Sequence, residues 1–345
     1  MVHRTKVYID PKINVDYASF YIDGLYCLFG RKNVTFKSTY FKELKTATGN
    51  LRFVTVKEDI VTKYIVNYYD DDTIDRFEYD WCDYYGIINI RLTQTNFNTK
   101  KIILLPPSFA IKIWGLFESL LMGSTNYLKS LSLNKIKHPK KILGNYYKQY
   151  KQAPISEYLP QKALSNYIYS VNTLWNSDQW IDNDSSVNLY RANFMRACKS
   201  INGLNFEGGF IQSTVPNVNP HFKELIIKPF WIPKKEYINN VKNAIVVFNT
   251  PAWAKCHGWK LAEYLALGKA IISTPLYNDL PFPLEHGKNI HFVSGKIEDI
   301  KEAIQHIIED DDYRRKLESG ANKYYSEYLT PISSLKILFG DFKNG

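Results

Sequence analysis

Residues 245–275 gather polar side chains at one loop, between segments whose patterns predict a strand, a helix and a second strand. Residues 245–248 are β-branched and aromatic, which is typical of a buried parallel strand. Residues 259–267 keep their apolar side chains on one helical stripe, and Gly268 follows as a helix-ending residue. Residues 270–273 are again β-branched. We therefore predict a strand–loop–helix–strand unit whose loop lies over the carboxyl edge of a parallel sheet.

The start of this predicted helix has the residue types of a phosphate-binding site. A helix N-terminus offers unpaired N–H groups and a partial positive charge to an anion. His257 precedes the helix, Gly258 lets a ligand approach the backbone, and Lys260 adds a cation in the first turn. Glu263, one turn later, is placed to accept hydrogen bonds from a ribose diol. The alternative is an ordinary helix with a solvated Lys–Glu pair and a histidine cap.

The same stretch resembles the donor-binding signature of GT-B glycosyltransferases. In that family a glutamate opens a Phe-Gly loop, a second glutamate follows eight positions later, and a Gly-x-Pro-Val-Ile-x-Thr tail closes the motif. Four positions match: Gly258, Glu263, Gly268 and Thr274. Two positions depart from the motif: Lys255 stands where the family has the first glutamate, and His257 stands where it has the aromatic residue. The resemblance is specific across residues 245–310 and is architectural elsewhere.

By this resemblance, Glu263 holds the nucleotide ribose and Thr173, at the end of a predicted strand, contacts the donor diphosphate. Because Lys255 replaces the glutamate that contacts the transferred sugar in retaining members, the sugar and the stereochemistry stay open. Arg191 and Arg196 lie on one predicted helix, about 140° apart. Arg191 is nearer the helix start, so we prefer it as the diphosphate cation. The predicted catalytic residues are His257 and Lys260. The predicted donor-binding residues are Thr173, Arg191, Asn249, Gly258, Lys260, Glu263 and Thr274.

The fold class predicted is α/β, and a length of 345 residues suggests two domains. By resemblance these are two Rossmann-like domains of the GT-B kind facing a central cleft. Residues 1–155 would form the acceptor-side domain and residues 156–325 the nucleotide-sugar-binding domain. Residues 326–345 would form a helix that packs back on the first domain.

Within residues 1–155, strand-type and helix-type segments alternate, which suits a Rossmann-like half-sheet. Apolar residues spaced along 109–121 predict an amphipathic helix, and this is usually a face that packs on the core. The predicted strands are residues 6–9, 33–36, 51–56, 63–69, 86–90 and 101–105, with helices at 17–29 and 74–84.

The acidic triplet of residues 70–72 follows a predicted strand and has two interpretations. It could supply metal ligands or an acid/base pair. It could instead form a turn with an N-cap for the helix that follows, which we favour.

Composition excludes several protein classes. A hydrophobic fraction of 45% and an aromatic fraction of 15% argue against a disordered chain. Four cysteines without a CxxC pair suit a reducing cytosol. The amino terminus lacks an apolar leader and no apolar run approaches membrane-spanning length, so we expect a cytoplasmic protein that neither crosses a membrane nor carries a secretion signal.

The net charge of +10 is uneven along the chain. Residues 1–150 hold 22 Lys+Arg against 14 Asp+Glu, whereas residues 151–345 hold 22 against 20. Residues 129–151 carry seven lysines interleaved with tyrosines, and there is no acid between Glu118 and Glu157. This stretch could be a solvated face, or a face for an anionic membrane or acceptor at the inner side of the membrane. No nucleic-acid partner is expected, because no nucleic-acid-binding module is recognised.

The function predicted is transfer of a sugar from a UDP- or GDP-sugar to a hydroxyl of a glycan or lipid-linked acceptor. The resemblance implies an enzyme of the hexosyltransferase type, without metal or cofactor, in bacterial surface polysaccharide or glycoconjugate synthesis. Because Lys255 departs from the motif, a nucleotide-sugar-binding protein without transferase chemistry is the alternative. A basic nucleic-acid-binding protein is a more distant one.

Overall fold

The computed structural model describes residues 5–44, 49–131, 139–174, 186–212, 220–228 and 231–341. The chain divides into two compact units. Unit 1 comprises Met1–Ile155, Asp279–Phe282 and Glu327–Gly345, and unit 2 comprises Ser156–Asn278 and Pro283–Ser326. Both units combine strands with helices, so the chain is α/β, as the sequence predicts.

The elements are numbered along the chain. The strands are β1 Lys6–Ile9, β2 Val34–Phe36, β3 Leu51–Lys57, β4 Ile60–Asn67, β5 Tyr84–Ile87, β6 Ile102–Leu104, β7 Tyr167–Leu174, β8 Asn205–Gln212, β9 Val246–Asn249, β10 Ala270–Ser273 and β11 His291–Phe292. The helices are α1 Val15–Phe29, α2 Arg76–Trp81, α3 Leu116–Leu131, α4 Pro139–Lys151, α5 Ser186–Ser200, α6 Lys234–Asn243, α7 Trp259–Ala266, α8 Ile297–Glu309, α9 Asp311–Tyr324 and α10 Pro331–Leu338.

Unit 1 has a six-stranded mixed sheet in the order β2-β1-β3-β4-β5-β6. The strands β3 and β4 form an antiparallel hairpin that pairs Lys57 with Ile60. The two loop residues, Glu58 and Asp59, have φ values of 50° and 65°, as a tight two-residue hairpin loop requires. Strands β1 and β3 are also antiparallel. The other neighbouring pairs, β2 with β1, β4 with β5 and β5 with β6, are parallel. The hairpin interrupts the strand–helix alternation that the sequence pattern predicts.

The helix predicted through residues 109–121 begins later than expected. Residues 109–113 are not helical, and α3 begins at Leu116. Two prolines precede this segment, and its backbone is bonded to other elements: Ile111 N donates to Ser19 Oγ at 2.9 Å and Lys112 N donates to Ala153 O at 2.9 Å. The prediction was therefore wrong for the first half of the stretch, which packs as buried irregular chain.

The acidic triplet forms a turn. Asp71 Oδ1 accepts from Thr73 N at 2.9 Å, and Asp75, not a member of the triplet, is the N-cap of α2. Within the described ranges, no three His, Cys, Asp or Glu side chains form a group that could hold a metal ion.

Helix α10 packs against α1 in unit 1. Gly24 makes the close approach possible, because a Cβ there would lie 2.4 Å from the Pro331 carbonyl oxygen. Among the helices that the structure describes, none is both long and apolar enough to cross a bilayer.

Unit 2 contains only parallel strand pairs among its named strands. The strands pair in the orders β11-β10-β9 and β7-β8, and Ile245 N donates to Tyr167 O at 2.8 Å to join β9 to β7. The resulting order is β11-β10-β9-β7-β8. After β7 the chain continues to β8 on one side of the sheet, and after β9 it continues to β10 on the other side. The direction in which successive strands are added therefore reverses between β7 and β9. Such switch points leave a crevice at the strand carboxyl ends.

Candidate functional site

The switch point of unit 2 is spanned by the side chain of Arg191, from α5. Its Nε donates to Thr250 Oγ1 at 3.2 Å, just beyond β9, and its Nη1 donates to the Thr173 carbonyl at 3.4 Å, on β7. Arg191 is buried, and no carboxylate of the described residues pairs with it. Burial lowers the pKa of its guanidinium to about 10. A buried cation without an anionic partner is costly unless a ligand supplies one.

Lys260 is the second cation of this site. It lies in the first turn of α7, and its Nζ donates to the Val171 carbonyl and to Asn172 Oδ1, the latter at 2.7 Å. Burial, reinforced by the nearby charge of Arg191, lowers the pKa of the Lys260 ammonium to about 7, although Glu263 opposes the shift. The two cations therefore repel one another at the same strand ends, which favours an anion between or beside them.

Glu263 is buried one turn further along α7 and is already engaged. Its Oε1 accepts from Tyr158 Oη at 3.3 Å and from Lys234 Nζ, with which it forms an ion pair. Both contacts use the same oxygen, so Oε2 has no hydrogen bond to the described residues. The carboxylate is thus held in one orientation with one oxygen available.

The loop before α7 is tightly turned. Ala252 N donates to the Cys256 carbonyl at 2.9 Å, and between them Ala254 and Lys255 have φ values of 48° and 61°. Side chains other than glycine rarely adopt this region, and such outliers concentrate at functional sites. Lys255, at the position of the missing family glutamate, has its Nζ 4.7 Å from the centroid of the Tyr277 ring.

Gly258 is the N-cap of α7 and has an extended conformation. Gly258 itself has no side chain that could cap the first N–H groups, and a Cβ there would lie 3.1 Å from the Cβ of Ala252. The glycine therefore allows the loop to pack close to the helix start. His257 is buried directly before this N-cap.

Asn249 and Thr274 lie at the ends of β9 and β10. Asn249 Nδ2 donates to Ser273 Oγ at 3.0 Å, so its side chain is committed to holding the two strand ends together. Thr274 N donates to the Asn249 carbonyl at 3.3 Å, and its buried hydroxyl has no hydrogen-bond partner in the described part of the chain. Of the pair, Thr274 is the better candidate for a ligand contact.

The structure thus places Arg191, Lys260 and the Thr173 carbonyl at one set of strand ends. Arg196 is elsewhere, because it pairs with Glu224 at 2.6 Å on the surface. The acidic and polar residues 178–185 that follow β7 lie outside the described residues.

Two functional candidates were missed by sequence reasoning, namely Lys234 and Tyr158. Both belong to other elements than α7 and approach Glu263 only through the fold. No spacing in the sequence links them, since 29 and 105 positions separate them from Glu263.

No protein-family model matches the chain, and no curated protein matches it by sequence. Among solved structures, the C-terminal domain of a glycosyl transferase group 1 family protein (LpcC) from Francisella tularensis is similar, at 14% identity and a TM-score of 0.37, over 50% of this chain and 95% of that one.

Two longer proteins are also similar in structure. TarM matches over 80% of this chain and 48% of its own, at 10% identity and a TM-score of 0.43. Anabaena HepE, solved with UDP-glucose, matches over 77% of this chain and 66% of its own, at 9% identity and a TM-score of 0.42. The chain therefore spans about half the length of TarM.

Proposed function

We propose that this chain is a glycosyltransferase that uses a nucleotide-diphosphate sugar, held in unit 2 by its diphosphate. The observation that carries the proposal is Arg191, a buried arginine that is fixed across the switch point and has no carboxylate partner among the described residues. Lys260 at the same strand ends and the start of α7, where glycine is the N-cap, support it. All three are positive, and all belong to the place where α/β sheets bind ligands.

The charge balance of the site supports a diphosphate in particular. Among the described residues, Arg191, Lys260 and Lys234 stand with the carboxylate of Glu263, so the site has a net charge of +2 when Lys260 is protonated. The diphosphate of a nucleotide sugar carries two negative charges. An unesterified sugar or a nucleoside would leave the buried Arg191 and the partly buried Lys260 without an anionic partner among the described residues.

In the proposed reaction, an acceptor hydroxyl oxygen attacks the anomeric carbon of the donor sugar. The bond from that carbon to the diphosphate oxygen breaks, the nucleoside diphosphate leaves, and the hydroxyl proton passes to a base. Arg191 and Lys260 stabilise the charge that develops on the leaving group, with His257 beside the same helix start. Preorganised donors of this kind commonly contribute about 3–4 kcal/mol each to lowering a barrier.

The remaining parts of the proposal follow the resemblance. Glu263 Oε2 would accept from a ribose hydroxyl while Lys234 and Tyr158 hold Oε1, and Thr274 would add a hydroxyl contact. Thr173, Asn249 and Gly258 shape the strand ends and the helix start. The acceptor would be a hydroxyl of a glycan or lipid-linked molecule, as in bacterial surface polysaccharide synthesis, with hexosyl transfer and no metal.

A thermal-shift screen against UDP, GDP, CMP and dTDP, each with and without magnesium, tests donor binding. A nucleoside diphosphate at a hundredfold excess over its dissociation constant should stabilise the protein by about 2.7 kcal/mol. We expect one nucleoside diphosphate to stabilise it equally with and without the metal. Absence of a shift with all four nucleotides would contradict the proposal.

The alternative of nucleotide-sugar binding without transfer is favoured by Lys255, which replaces a sugar-contacting glutamate. Release of nucleoside diphosphate from the matching nucleotide sugar, measured with glycan and lipid-linked acceptors, separates the two. Binding without release in any acceptor mixture would support the alternative.

The pH dependence of donor affinity is a further prediction. The charged form of Lys260 binds the diphosphate, and a bound anion raises its pKa above the free value of about 7. Affinity for a nucleotide sugar should therefore be constant below this pH and fall above it, approaching tenfold per pH unit. Titration calorimetry from about one unit below to about two units above neutral pH measures this.

The matched variant is Lys260→Arg, whose side chain stays charged across this range. Its affinity should therefore be independent of pH. A flat profile for the unmodified protein would show that Lys260 does not bind the diphosphate.

A further inference from the structure

Helix α3 exposes its apolar side and buries its small, polar side, which is the opposite of a normal surface helix. Its outward side carries Phe117, Leu120, Leu121 and Leu128, and Phe117 is 81% exposed. These positions, with exposed Ser124, lie within an arc of about 100° on the helix. A surface helix of a globular protein normally turns such an arc toward the core.

The side of α3 that is buried is small and polar: Ser119, Gly123, Asn126 and Ser130. This side is specifically packed against α4. Asn126 Nδ2 donates to Tyr146 Oη at 2.8 Å, and Ser119 shares a hydrogen bond of 3.2 Å with Gln149. A Cβ at Gly123 would lie 3.2 Å from the Tyr146 ring. These contacts fix the small, polar side of α3 against α4, although Asn126 Oδ1 has no hydrogen-bond partner among the described residues. The apolar arc therefore points outward because of the way the two helices pack.

The apolar surface continues onto α4. Leu143 and Tyr147, four positions apart and on one side of the helix, are also exposed. Leu143 lies beside Gly123 of α3, which joins the two helices. We define the outer apolar face by these residues together: Phe117, Leu120, Leu121, Leu128, Leu143 and Tyr147. Exposed apolar patches of this kind mark interaction sites.

The charges around the outer apolar face indicate what covers it. Residues 129–151 contain seven lysines and no acid, and Glu118 at the start of α3 is paired with Arg31. Lys148 and Lys151 are exposed, and Lys151 Nζ lies 5.4 Å from the centroid of the Tyr147 ring. An apolar arc bordered by lysines and tyrosines matches the interface of an anionic lipid bilayer.

A second copy of the chain fits less well. In a two-fold symmetric dimer the same surface meets itself, so the exposed Lys148 and Lys151 would lie close to the same two lysines of the second copy. We therefore infer that the outer apolar face docks unit 1 on an anionic membrane surface, with the apolar side chains entering the acyl boundary and the lysines contacting lipid phosphates. This inference goes beyond nucleotide binding and does not depend on it.

Vesicle flotation of the full chain tests this inference. Vesicles of phosphatidylcholine mixed with phosphatidylglycerol should carry the protein, and vesicles of phosphatidylcholine alone should carry far less. The double variant F117S/L120S should lower the bound fraction by about tenfold or more, because it removes apolar side chains that would enter the bilayer. Both side chains are exposed, so the substitutions should leave the fold intact. The variant K148Q/K151Q should lower binding to the anionic vesicles only.

The control is F77S, because Phe77 is a phenylalanine of unit 1 that is 82% exposed on α2. It should bind vesicles like the unmodified protein, and all variants should bind nucleotide unchanged. No binding to anionic vesicles, or an equal loss in F77S, would overturn the inference. A concentration-dependent dimer that F117S/L120S abolishes would also overturn it and show a second copy on this face.

Discussion

Replacement of Arg191 by methionine is expected to weaken binding of a nucleoside diphosphate by about a hundredfold or more. Hydrogen bonds to charged groups contribute about 1.5–3 kcal/mol each, and an arginine can make two to a diphosphate. The same variant should bind the corresponding nucleoside with unchanged affinity, because the loss is confined to the phosphates. Titration calorimetry with both ligands measures the two affinities.

The control variant is Arg196→Met, on the same helix α5 and of the same chemical type. Its partner is Glu224 on the surface, so nucleotide affinity should not change. Arg191→Lys should recover only part of the affinity, because an ammonium cannot reproduce the planar guanidinium fork. Equal losses for diphosphate and nucleoside in Arg191→Met would mean that Arg191 supports the local structure rather than the phosphates.

The second large effect is expected on stability, at the buried charge network of unit 1. Arg52 Nε donates to Glu78 Oε1 at 2.7 Å, and its Nη1 lies 3.2 Å from Asp10 Oδ2. Asn50 Nδ2 donates to the other Glu78 oxygen at 2.5 Å. All of these side chains are buried. Burial also raises the pKa of Asp10. The arginine thus depends on two carboxylates for compensation.

Glu78→Gln should therefore lower the unfolding free energy of unit 1 by about 3 kcal/mol, since removing one partner of a buried ion pair leaves a charge uncompensated. Hydrogen exchange of the β3 and α2 amides measures this, because it reports the opening of unit 1 separately from unit 2.

The matched control lies on the same helix. Asp80 pairs with Arg76 at 2.8 Å, and both side chains are exposed, so Asp80→Asn should cost less than about 1 kcal/mol. If the two variants lost equal stability, the buried network would not be the structural element that the geometry indicates.

Much of unit 2 could be predicted from the sequence because its pattern is local. The residues of α8, Ile297–Glu309, show a helical period, because the buried Ile300, Ile304 and Ile307 lie on one side of the helix. The strand–helix–strand unit around α7 was likewise predicted, since buried parallel strands are β-branched and Gly268 ends the helix with φ 57°.

Unit 1 was harder because long-range hydrogen bonds outweigh local periodicity there. Phe109, Ile111 and Trp114 have helical spacing, but the backbone near them bonds to Ser19 and Ala153. Spacing cannot show which partners the backbone finds elsewhere in the fold. The sequence pattern also did not indicate the direction of strand pairing, because the residue types of β3 and β4 are compatible with both parallel and antiparallel pairs.

At the site, the sequence predicted residue types and the fold supplied their partners. Lys260 and Glu263 were expected to act independently on phosphate and ribose. In the structure Glu263 is paired with Lys234, and Lys260 is bound to β7 beside Arg191. The depressed pKa values of Lys260 and Arg191 both arise from burial, which no residue pattern reports.

The most direct test of the diphosphate site is a crystal structure of the protein with the nucleoside diphosphate that stabilises it most. We expect phosphate oxygens within about 2.7–3.2 Å of the Arg191 guanidinium and of Lys260 Nζ, at the carboxyl ends of β7 and β9. A nucleotide bound with its phosphates away from both side chains would contradict this expectation.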